Sequence, residues 1–90
     1  MKEILEAAIV ALQRRGWCQG IGMDSEGRVC AYGAIDMATR GLSISEKIRI
    51  SRFVNEPTHH VELSVWNDVE GRTVEDVVEL FVGAIERCDA

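Results

Sequence analysis

Ninety residues, 47% of them hydrophobic, predict one domain (residues 1–90) with a packed core and no room for a second. A net charge of -5 counts against binding along nucleic-acid phosphates, and the longest apolar run, Ala7 to Leu12, is too short to cross a bilayer. The three cysteines, Cys18, Cys30 and Cys88, lack paired spacing, and Glu3 and Glu6 stand where an export signal carries bases, so free thiols in the cytoplasm are expected.

Residues 2–15 read as an amphipathic helix. Ile4, Leu5, Ala8, Ile9 and Leu12 recur at helical spacing, Glu3 and Glu6 sit near its start, and Arg14 and Arg15 sit near its end. Gly16 supplies a left-handed cap. Residues 17–32 read as an antiparallel β-hairpin turning at Asp24-Ser25-Glu26-Gly27. Pairing Met23 with Arg28 sets Ile21 opposite Cys30 and Gln19 opposite Tyr32, and it places Cys18 and Cys30 on opposite faces, against a disulfide between them. Gly20 and Gly22 leave one face nearly bare, so a helix can approach it closely.

A short helix over 33–40 follows, closed by Gly41. Ser43 with Glu46 forms a capping box that opens a helix over 44–55. Ile44, Ile48, Ile50, Phe53 and Val54 cover more than half of that helix's circumference, which predicts deep burial or an interface. Arg40, Lys47, Arg49 and Arg52 make this segment basic. Pro57 stops the helix. Residues 60–66 alternate apolar Val61, Leu63 and Val65 with Glu62, Ser64 and Trp66, which favours an extended segment over a short helix capped by Thr58. Asn67 to Arg72 is a polar loop. Thr73 caps a last helix over 74–88, whose stripe of Val74, Val77, Val78, Phe81, Ala84, Ile85 and Cys88 marks a core element. Gly83 inside that stripe predicts close packing. Asp68, Glu70, Glu75, Asp76, Glu79, Glu86 and Asp89 make this end acidic. The expected fold is therefore α+β: about four helices with one short hairpin.

Gly16-Trp17-Cys18-Gln19-Gly20, Asp24, Gly27-Arg28, Cys30, Gly33-Ala34-Ile35, Trp66-Asn67-Asp68, Gly71-Arg72-Thr73 and Asp76-Val77 occur in this order. Together they resemble a family of small uncharacterised proteins of actinomycete bacteria and their phages. The resemblance implies an α+β domain of unknown function and supplies no activity, cofactor or catalytic residue. The stretch between Gly41 and Val65 does not share it.

Trp66-Asn67-Asp68 places a polar pair beside an aromatic plate. Either it holds a ligand or a partner backbone, or Trp66 is core and Asn67 or Asp68 makes an Asx turn. Cys18 follows the negative end of a helix, which disfavours a thiolate. His59 and His60 point opposite ways in an extended chain, and no CxxC or HxxxH spacing exists, so no metal is expected. Gly20-Ile21-Gly22 lacks the rest of a phosphate loop, and the helix pair over 33–55 carries too few bases for a nucleic-acid reader. No cofactor is implied.

The sequence thus points to a non-enzymatic binding or regulatory module acting through protein contacts. Trp17, Gln19, Trp66, Asn67 and Asp68 are its candidate binding residues. Ile44, Ile48, Arg49, Arg52 and Phe53 form a candidate interface, most simply of a homodimer. The alternative is a small enzyme using Cys18 with His59 or His60 and Asp68.

Overall fold

The computed structural model describes residues 1–59 and 62–89. Its regular elements are helices: α1 (Lys2–Arg15), α2 (Ala31–Ala38), α3 (Ile44–Asn55), a 3-10 turn (Glu56–Thr58), α4 (Leu63–Asn67) and α5 (Val74–Asp89). Among the described residues there is no strand or sheet, so the expected α+β class with a hairpin is corrected to an all-helical one.

The turn expected at Asp24–Gly27 is present, but the strands around it are not. Gly27 has φ 82°, its N–H donates to the Asp24 carbonyl (3.0 Å), and the Asp24 N–H donates to the Arg28 carbonyl (2.9 Å). Pairing then reduces to Val29, which bridges Met23 on one side and Trp17 on the other. Val29 N–H donates to the Gly16 carbonyl, and its own carbonyl accepts from Cys18 N–H. Extension ends at once because α2 starts at Ala31, where the hairpin needed a second strand. Cys30 caps that helix, its Sγ accepting from Gly33 N–H (3.3 Å). The close approach expected of the glycine-bare face occurs at Gly22, whose carbonyl occupies the space a Cβ on Gly33 of α2 would need.

Residues 63–67 are helical rather than extended. Leu63, Trp66 and Asn67 are buried while Val65 is exposed, so the side-chain pattern follows helical spacing and not alternation. Thr58 does not cap α4; its hydroxyl donates to the Asn55 carbonyl. His60 and Val61 lie outside the described residues.

The core is built where sequence periodicity places it. α1 turns Leu5, Ala8 and Leu12 inward, and α5 turns Val77, Phe81 and Ala84 inward. Ile35 of α2, Ile50 and Val54 of α3, and Leu63 and Trp66 of α4 complete the cluster. α1 ends at Gly16, φ 88°, whose N–H reaches the Leu12 carbonyl (3.0 Å). Ser43 and Glu46 cap α3 as expected, and Thr73 caps α5 in a reciprocal bond with Asp76. Gly83 departs from expectation: among the described residues, nothing beyond its own helix backbone lies within 4 Å of where its Cβ would stand. No described helix is long and apolar enough to cross a membrane.

Candidate functional site

The candidate binding residues converge, and Asn67 is their centre. Its side chain is fully buried at the end of α4. Oδ1 accepts from Trp17 Nε1 (2.7 Å) and from the Ala31 backbone N–H (2.9 Å). Nδ2 donates to the Cys18 carbonyl (3.1 Å) and to Asp68 Oδ1 (3.0 Å). Both acceptor directions and both N–H groups are therefore used, and two donors facing one atom fix which end of the amide is oxygen. Ala31 N–H is one of the free amide groups at the start of α2, so Asn67 caps a helix remote from it in sequence.

The neighbouring residues extend this latch. Gln19 Nε2 donates to the carbonyls of Asn67 (3.0 Å) and Val69 (3.1 Å), and Gly20 N–H donates to Asp68 Oδ1 (2.9 Å). Hence the Trp17 and Gln19 side chains and the Gly20 N–H are satisfied by Asn67 and the loop after α4, while the Cys18 N–H pairs across to Val29. Trp66 packs into the core, with the Arg72 guanidinium 4.1 Å above its ring and Arg72 Nε donating to its carbonyl. In Trp17, Gln19 and Asn67 the polar atoms hold these segments to one another.

Cys18 is half-buried, and its thiol lies against the carbonyls of Ile21 (3.5 Å) and Arg28 (3.3 Å). Burial first, then the charge of Asp24 and the adjacent Cys30, push its pKa above the ordinary thiol value, outweighing Arg28. Cys30 is raised as well, chiefly by burial. Asp24 shows the opposite outcome. Burial alone would raise it, but hydrogen bonds from the Arg28 guanidinium and from the backbone of Arg28 and Glu26 hold it below the usual carboxylate value. His59 is exposed in a left-handed conformation after the 3-10 turn. All three cysteines are free thiols. No three His, Cys, Asp or Glu side chains among the described residues are grouped to hold a metal ion.

The candidate interface on α3 separates into two faces. Ile50 and Val54 are buried, whereas Ile44 is 72% exposed and Ile48 36% exposed. Arg49 and Arg52 are exposed. Phe53 is half-buried against the core, with Arg87 of α5 stacked 4.4 Å over its ring. Arg87 also donates to the Phe53 carbonyl (2.9 Å), placing a cation at the negative end of α3. Lys47 is paired with Asp36 of α2 (2.7 Å). Beside Ile48, a cleft of about 320 Å³ opens between Tyr32, Ser51, Arg52, Glu62, Leu63 and Ser64.

Residues 1–87 match a family of unknown function, DUF6197. The chain belongs to that family. No curated protein and no solved structure matches it. The DUF6197 match takes in the Asn67 latch, the whole of α3 and the contact of Arg87 with Phe53. Sequence reasoning missed two residues of this DUF6197 chain, Arg72 and Arg87. Both reach back to an aromatic residue and its carbonyl on another segment, and spacing along the chain carries no signal for that.

Proposed function

We propose that this DUF6197 chain is a non-catalytic contact module and that the outer face of α3 is where it meets another protein. The observation that carries this is the pair Ile44 and Ile48, one helical turn apart and both exposed. Isolated surface isoleucines are ordinary, but an adjacent pair beside an open cleft forms a patch of the kind that marks a contact site. Arg49 and Arg52 rim it, as charges around an apolar centre do in protein interfaces. The Asn67 cluster offers less to a partner, because its amide groups are committed inside the fold. Enzymatic use of Cys18 is disfavoured by a raised pKa and a thiol held by carbonyls, the reverse of an activated nucleophile. Free thiols at all three cysteines suit a reducing, cytoplasmic setting.

The test is affinity capture from host lysate with the wild type and with Ile44→Asp/Ile48→Asp. A carboxylate at position 44 sits in the first turn of α3 and favours that helix, so the variant folds, as circular dichroism will check. Proteins retained by the wild type and lost with the variant are expected. The same retained set on both would overturn the proposal.

A further inference from the structure

A second unfilled surface lies on the other side of the charge balance. The end of α1 and the start of α5 leave a groove of about 620 Å³ between them. Leu12, Trp17, Val74 and Val78 supply its apolar wall. Glu75 and Glu79, one turn apart on α5 and both exposed, stand at its rim, and no basic side chain among the described residues lines it. The Trp17 ring is held in place by its bond to Asn67, so this wall is preformed.

The α3 face is the complement of this groove. Ile44 and Ile48 repeat at the same one-turn spacing as Glu75 and Glu79, and Arg52 continues their stripe with Arg49 beside it. Glu46, the acid of α3, lies on the opposite side of the helix in the capping box with Ser43. We infer that α3 of one copy docks in the α1–α5 groove of a second copy, its isoleucines against Trp17 and Val78 and its arginines facing Glu75 and Glu79. The inference rests on the α3 surface proposed above and names its partner. The two patches are different, so the contact either closes as a two-fold pair, each α3 in the other copy's groove, or runs head-to-tail into a larger ring or a chain. A single helix in a groove belongs to the small, reversible class of interfaces, and opposed charges make it sensitive to salt.

Sedimentation velocity on the full chain, from micromolar to millimolar concentration, tests this with two blocked forms. Ile44→Asp/Ile48→Asp removes the inserting face. Glu75→Lys/Glu79→Lys reverses the rim, and Glu75→Gln/Glu79→Gln neutralises it without placing bases at the start of α5. The wild type is expected to gain mass with concentration and to lose it as salt is raised. Each blocked form alone should associate at least roughly tenfold more weakly, with the glutamine form between it and the wild type. An equimolar mixture of the two blocked forms retains one working face and one working groove, so it should form a 1:1 dimer that grows no further. A wild type that stays monomeric, a lysine form that associates like the wild type, or a mixture that stays monomeric would overturn self-docking. If the wild type is monomeric while Ile44→Asp/Ile48→Asp still loses proteins captured from lysate, the α3 surface stands and self-docking alone falls. If capture is unchanged too, both fall.

Discussion

Replacing Asn67 by alanine should come close to unfolding the protein, although the residue lies in a short helix beside a loop. The substitution strands the Trp17 indole N–H, the Ala31 N–H and the Cys18 carbonyl. Ala31 is fully buried, so its N–H stays dry and loses about 2–3 kcal/mol. Trp17 and Cys18 are half-buried and recover part of their bonding from water, losing about 0.5–1 kcal/mol each. The sum is about 3–5 kcal/mol, against a total stability that for a small domain is about 5–10 kcal/mol. The thermal midpoint should therefore fall by about 15–30 °C, and urea denaturation should show the loss with an unchanged slope. Asn67→Asp sharpens the test. It keeps an oxygen toward Trp17 and Ala31 but turns a second one toward the Cys18 carbonyl and Asp68. Burial, the Cys18 carbonyl and the neighbouring Asp68 oxygen favour the protonated carboxyl, and the Trp17 and Ala31 N–H donors favour the ion; with burial dominant, the expected folded pKa lies above the unfolded value. The stability that protonation restores is then fully present below the unfolded pKa and is lost as pH rises through the folded pKa. The gap between wild type and Asn67→Asp should accordingly narrow on acidification. A midpoint shift of only a few degrees for Asn67→Ala, or a gap that widens toward low pH, would refute the role of Asn67 as a buried latch.

Gly83→Ala should raise stability by about 0.5–1 kcal/mol in thermal denaturation, because α5 gains helix propensity and the added methyl meets open space. Gly33→Ala should lower it by about 1–3 kcal/mol or more, because the same methyl runs into the Gly22 carbonyl. Phe81→Ala should lose about 3–5 kcal/mol by emptying the centre of the core, measured by urea unfolding. Alkylation of Cys18 should reach half its maximal rate at a higher pH than a free cysteine does, since its thiol is raised by burial and by Asp24; mass spectrometry of the modified peptide follows it.

Much of this molecule is legible in the chain by itself, for a local reason. α1 and α5 follow from apolar spacing, the α3 and α5 starts follow from Ser43 with Glu46 and Thr73 with Asp76, and the turns at Gly16 and Gly27 follow from glycine placement. Each of these is decided by residues within a few positions of one another. Trp17, Gln19, Trp66, Asn67 and Asp68 stand out in the chain as candidate binding residues, but nothing in their spacing brings the two segments together. Tertiary structure alone joins them, because only there does the Asn67 amide meet the Ala31 N–H and the Cys18 carbonyl. The hairpin failed for the same reason. Residues 17–32 carry a strand pattern and a good turn, yet Gln19 and Gly20 bond the loop after α4, and Asn67 helps start α2 at Ala31. Likewise Val65 completes an alternating pattern that predicts a strand, while the burial of Trp66 and Asn67 on one side makes the segment a helical turn. The breadth of apolar positions on α3 signalled a second surface. Which side was left over was decided by packing, with Ile50 and Val54 taken by the core, Phe53 held under Arg87, and Ile44 and Ile48 left facing solvent.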